Sequence, residues 1–127
     1  IKADKPIKKT KVAILGFAFK ENCQDTRNTK VIDIIRELEE YGIEPLVTDD
    51  VADKEEAKKI YGIQLLPLKD IKNVDAVVIS VKHKIFQNLR RDSIRKMYTD
   101  NIRLLFDLKG IFDKKEYEED GYEYWRL

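Results

Sequence analysis

Residues 12–27, VAILGFAFKENCQDTR, decide how the rest of the chain is read. The apolar run Val12, Ala13, Ile14, Leu15 stops at Gly16, and a polar loop follows until a helical pattern begins near Asn28. That is the outline of a buried strand and a strand-to-helix connection. At roughly a dozen residues the connection exceeds the roughly two to six common in α/β units, so it carries more than a turn. Ligands of open α/β sheets bind beyond the carboxyl ends of the strands, which is where Phe19, Lys20, Asp25 and Arg27 fall.

The loop is not a dinucleotide cradle. A Rossmann fingerprint requires glycines where this chain has Ala18 and Glu21, because the backbone must approach a pyrophosphate closely there. Nor does a Gly-Lys-Ser/Thr close it, as a P-loop would. One aromatic ring and two cations on a strand–loop–helix suit a base or sugar joined to phosphate.

Outward from this loop, Val31, Ile34, Ile35, Leu38 and Tyr41 recur at three- and four-residue spacing, so residues 28–41 are expected to form an amphipathic helix. Asn28 is expected to cap its start and Gly42 to follow its end. A second strand is expected over 43–48, a polar helix near 53–61, an extended piece over 62–67 and a brief turn over 68–72. Residues 76–81 are the most apolar run and read as a central parallel strand. Helical spacing over 86–98, interrupted near 91–93, precedes a strand at 103–106. A short helix near 113–118 and an edge strand at 122–127 complete the pattern.

Strands alternating with helices in this way imply an α/β fold, a single Rossmann-like domain built on a doubly wound, mainly parallel sheet. The strand ends near Lys20, His83 and Lys109 then share one edge. If the first and fourth strands are neighbours, a crevice for a nucleotide opens between them.

A chain of 127 residues, 43% hydrophobic and 39% charged, fits one folded domain with a heavily charged surface. A net charge of +1 argues for neither a nucleic-acid nor a membrane partner. No apolar run approaches the eighteen or so residues of a membrane span, and no secretory signal is visible. A single cysteine, Cys23, makes no internal disulfide and fits a cytoplasmic location. The basic opening, residues 1–10, reads as a linker from an upstream part, with the domain occupying 11–127.

The order Gly16-Phe17-Ala18-Phe19-Lys20, then Asp25-Thr26-Arg27, resembles the motif that opens the C-terminal, UDP-binding domain of the UDP-glucose/GDP-mannose dehydrogenase family. The resemblance continues through NTKVIDIIRELEEYG, the strand end at Asp49, VKHKIF and FDLKG, from Lys11 to about Phe112. It implies that the parent oxidises the C6 hydroxyl of a UDP-hexose to a carboxylate in two NAD-dependent steps through a cysteine thiohemiacetal. It also implies that the nicotinamide-binding domain, the catalytic cysteine and a linking helix lie upstream. Cys23 does not inherit that cysteine's role, so the catalytic residues expected within this chain are none.

By the same resemblance Phe19 and Lys20 line the UDP-sugar site, and Arg27 reaches the NAD held by the upstream domain. Lys109 stands where relatives place a basic, often arginine, substrate contact; a lysine there gives up the bidentate fork. The wording KENCQDTRNTKV is closer to the branch acting on UDP-N-acetylhexosamines, which feeds capsule, surface-polysaccharide or O-antigen synthesis. The full-length enzyme is expected to be a homodimer, and this piece a monomer without activity of its own.

Plainer readings stand beside these. Phe19 could be a core plug, and Arg27 a helix-entry residue paired with Asp25. His83, the only histidine, reads as a loop hydrogen-bonding group rather than a catalyst, and no His/Cys cluster points to a metal. Asp49 and Asp50 read as helix-capping residues. Tyr122, Tyr124 and Trp125 read as edge-strand packing rather than a base-stacking platform. The rival functions are a non-enzymatic regulatory or protein-interaction domain and a receiver-like phosphoacceptor.

Overall fold

The four apolar residues Val12, Ala13, Ile14 and Leu15 are all buried, as a strand covered on both faces requires. They belong to β1 (Lys11–Leu15), at the centre of a computed structural model that describes residues 10–127. The linker expected over residues 1–10 therefore lies, apart from Thr10, outside the described residues.

β1 pairs in parallel with β2 (Glu44–Thr48) on one side and with β3 (Ala76–Ile79) on the other. β4 (Arg103–Asp107) and β5 (Tyr122–Trp125) extend the sheet beyond β3, giving the order β2-β1-β3-β4-β5 with every pairing parallel. The expected doubly wound α/β sheet is thus present. The strand beside β1, however, is the third and not the fourth. Residues 62–67 add no strand to the sheet, because they meet β2 only through a single bridge between Thr48 and Leu66. The reversal of strand order, where such folds bind ligands, accordingly falls between β1 and β3.

Alternation along the strands sorts the core into two layers. Val12, Ile14, Ala76, Val78 and Leu104 face α1 (Val31–Glu40) and α2 (Lys54–Tyr61), which contribute Val31, Ile35 and Ala57. Ala13, Leu15, Val77, Ile79 and Leu105 face α3 (Lys84–Gln87), α4 (Arg91–Arg95) and α5 (Lys114–Glu119) through Phe86, Ile94 and Tyr117. Each buried branched side chain contributes about 1.5–3 kcal/mol, so the two layers dominate the fold's stability. Tyr122 and Tyr124 join the second layer, as packing of an edge strand requires, whereas Trp125 is half-exposed.

Local chemistry sets the helix ends. Asp53 and Asp113 accept from the N–H of Glu56 and Glu116, each at 3.0 Å, and so cap α2 and α5. Gly42, at φ +78°, follows α1 as expected. Asn28 is not the cap of α1. Thr26 is tied down first, its N–H and hydroxyl both bonded to Glu56 Oε1 at 2.7 and 2.6 Å. The chain then turns through Asn28 in the left-handed region, at φ +64°, and the helix starts only at Val31. The interruption expected near 91–93 falls instead at 88–90, where Arg90 is extended.

Candidate functional site

Gly16 makes the crossing of β1 and β3 possible. Its φ is +112°, and a Cβ placed on it would lie 2.6 Å from Val81 Cβ and 2.8 Å from the Val81 nitrogen. Without a side chain, the backbone leaving β1 passes directly against the chain leaving β3. Ser80 secures the contact by donating to the Gly16 carbonyl at 2.6 Å.

Beyond Gly16 the two phenylalanines part. Phe17 is fully buried and meets the Tyr61 ring edge-on at 5.3 Å, so it is the plug that anchors the loop. Phe19 is 49% exposed, which rules out the core-plug reading for it. Phe19 and Lys20 line a hollow of about 180 Å3 together with Lys109, from the loop after β4. Lys30 and Lys82, unmarked in the sequence, line the same hollow, so four lysines border it with Glu21 as the one acidic residue.

Lys109 is held by a tight turn around Asp107, whose buried carboxylate accepts from Ile111 N–H at 3.1 Å and Phe112 N–H at 2.9 Å. The Tyr124 hydroxyl donates to the same group. Burial, followed by that carboxylate, pushes the Tyr124 hydroxyl up to about 12. Tyr124 thus helps to fasten the turn that carries Lys109.

Asp49 does more than cap. One oxygen accepts from Phe17 and Ala18 N–H at 2.8 and 2.9 Å; the other accepts from Val51 and Ala52 N–H at 2.9 and 2.8 Å. His83 Nε2 lies 2.8 Å from the first oxygen. Burial raises the Asp49 pKa most, yet the His83 bond and the backbone N–H groups together outweigh it and hold the carboxyl below its ordinary value. A fully buried carboxylate with both oxygens engaged cannot serve as an exposed phosphoacceptor, so the receiver-like reading fails at Asp49.

His83 is itself fully buried. The Asn22 N–H, 2.8 Å from Nδ1, can only donate, so Nδ1 is the unprotonated nitrogen and Nε2 carries the hydrogen given to Asp49. The imidazole is a loop hydrogen-bonding group, as its sequence context indicates.

Arg27 stands apart from the lysine hollow. Its guanidinium grips Asp25 through Nε at 3.0 Å and Nη2 at 3.1 Å, and the pair borders a separate cavity of about 500 Å3 with Cys23, Asp53 and Glu56. The side-chain bond from Arg27 holds the Asp25 carboxyl below its ordinary value. The pairing with Asp25 is present, while the guanidinium remains mostly exposed. Among the described residues no cluster of His, Cys, Asp and Glu could hold a metal, and no helix is long and apolar enough to cross a membrane.

The sequence profile of the UDP-glucose/GDP-mannose dehydrogenase family, UDP binding domain, matches residues 13–114. The chain belongs to that family. It is 45% identical over 116 residues to Protein CapL of Staphylococcus aureus, covering 91% of this chain and 27% of CapL. It is 37% identical to the UDP-N-acetyl-D-glucosamine 6-dehydrogenase of Salmonella typhi, over 83% of this chain and 24% of that protein. The chain thus spans about a quarter of the length of these relatives.

Its fold matches the crystal structure of NDP-N-acetyl-D-galactosaminuronic acid dehydrogenase from Methanosarcina mazei Go1 with a TM-score of 0.87. That match has 22% identity and covers 99% of this chain and 26% of the other. The strand-end loop, the β1–β3 crossing and the lysine hollow all lie within the matched family segment.

Proposed function

We propose that this domain forms the UDP-facing side of an NAD-dependent nucleotide-sugar 6-dehydrogenase acting on a UDP-N-acetylhexosamine. The observation that carries the reading is the convergence of Phe19 with Lys20, Lys30, Lys82 and Lys109 at the β1–β3 crossing of a family member. A diphosphate supplies the anionic charge that four ammonium groups complement, and an exposed ring offers a face to sugar or base. Phe19, Lys20 and Lys109 are the substrate-binding residues of this proposal. The name of the Salmonella typhi relative supports the acetylhexosamine branch.

NAD supplies the hydride acceptor when bound. The residues present do not make a dinucleotide cradle, since Ala18 and Glu21 stand where the fingerprint needs glycine. NAD is therefore assigned to the upstream domain of the same protein, and this chain offers it Arg27, oriented by Asp25. The reaction would be cytoplasmic, the full-length enzyme a homodimer, and the product a uronic acid for surface polysaccharide.

Lys20→Ala in the full-length enzyme tests the assignment. Loss of one charge-assisted contact of about 1.5–3 kcal/mol is expected to lower kcat/KM for the UDP-sugar at least about tenfold, with KM for NAD unchanged. Unaltered kinetics would remove Lys20 from the site.

A further inference from the structure

The bend that presents Phe19 and Lys20 is pinned at two points, and both trace to one imidazole. At the near end Phe17 and Ala18 N–H bond to the Asp49 oxygen that also takes the His83 Nε2–H. At the far end the Asn22 N–H bonds to His83 Nδ1. Asn22 sits in the left-handed region, at φ +56°, and its Oδ1 accepts from Lys84 N–H at 3.0 Å, which fastens the bend to the start of α3. Between the pins Phe19, Lys20 and Glu21 are exposed, with Phe19 N–H adding one bond to the Asp25 carbonyl at 2.7 Å. Their side chains can meet a ligand; the buried imidazole cannot.

We propose that His83 is a positioning residue of the nucleotide pocket, setting where Phe19 and Lys20 stand by holding Asn22 through Nδ1, with Nε2 resting on Asp49, which four backbone N–H groups already fix. The role rests on the UDP reading given above. It follows the general rule that groups touching a ligand are fixed by a supporting layer whose own bonds are all satisfied. The same imidazole atoms make the two bonds separable: an asparagine amide oxygen can replace the Nδ1 acceptor, and a glutamine amide N–H can replace the Nε2 donor.

The test uses the 15N-labelled 127-residue chain and UDP-N-acetylglucosamine, whose diphosphate has no group titrating near neutrality. Without substitution, a scalar coupling across the Asn22 N–H to His83 Nδ1 bond is expected, and saturating ligand should slow exchange of the Asn22 amide at least about fivefold. His83→Gln should release that amide and weaken binding at least about fivefold, while His83→Asn should keep binding within about twofold. Absence of the coupling overturns the proposal, whether or not either variant folds. So does a ligand that shifts Phe19 and Lys20 while leaving Asn22 exchange unchanged, or a His83→Gln chain that binds normally with Asn22 released. No shift at Phe19, Lys20 and Lys109 in the folded, unsubstituted chain instead removes the UDP reading, and this role with it.

Discussion

Asp49→Ala is expected to destabilise the domain by about 3–5 kcal/mol, since each buried donor left without its acceptor costs about 1–3 kcal/mol. Four backbone N–H groups and His83 Nε2 lose their acceptor at once, in a place closed to solvent. Against a typical total of about 5–15 kcal/mol, that loss takes roughly a fifth or more of the fold's stability. Asp49→Asn should recover only part of it, because the amide nitrogen must face groups that are themselves donors.

The pH dependence has a fixed sign. The folded Asp49 carboxyl lies below the ordinary value of 3.8, so its contribution is present above that pH and is lost as the pH falls through the lower, folded value. Urea midpoints at neutral pH and below pH 4 measure both effects. A loss under about 1 kcal/mol at neutral pH would mean that water replaces the carboxylate without consequence.

Gly16→Ala has the second largest expected effect. The added methyl would meet the Val81 nitrogen, which is backbone and cannot swing aside, and would also meet Val81 Cβ. Overpacking of this kind costs about 1–3 kcal/mol. The positive φ adds roughly 1–2 kcal/mol for a residue with a Cβ. Gly62→Ala separates the two contributions, because Gly62 also has a positive φ, +70°, but nothing within 4 Å of the added atom.

The expected result is a loss of about 3 kcal/mol or more at Gly16 and about 1 kcal/mol at Gly62, read as shifts in urea midpoint. Equal losses would contradict the claim that close approach of β1 and β3 requires the glycine. The Gly16 variant should also displace Phe19 and Lys20, since the loop they occupy begins at that contact.

The strands and the amphipathic stripe of α1 were legible because they depend on local alternation and three- and four-residue spacing. Phe19 and Lys20 were legible because they follow a strand end that is itself visible. Asp49 was not legible as more than a cap, since most of its partners lie some thirty residues away and no pattern near Asp49 announces them. Lys30 and Lys82 were lost among 25 lysines and arginines; only the fold brings them beside Lys109. The place of Asn28 depended on Thr26 being held by Glu56, a tertiary contact that overrides the local preference of asparagine for a helix cap. That β1 lies beside the third strand was not legible, because strand order depends on which way each crossover runs and not on the residues of the strands themselves.

The central claim is that the lysine hollow at the β1–β3 crossing takes the diphosphate of a UDP-sugar. Titration of UDP into the 15N-labelled domain, followed residue by residue, tests it most directly. Because the proposal assigns half of the pocket to an upstream domain, the dissociation constant should be on the order of 1 mM, about 4 kcal/mol of binding. The shifts should concentrate at Phe19, Lys20, Lys82 and Lys109. Shifts confined to the opposite ends of the strands, around Lys11 and Asp75, would contradict it.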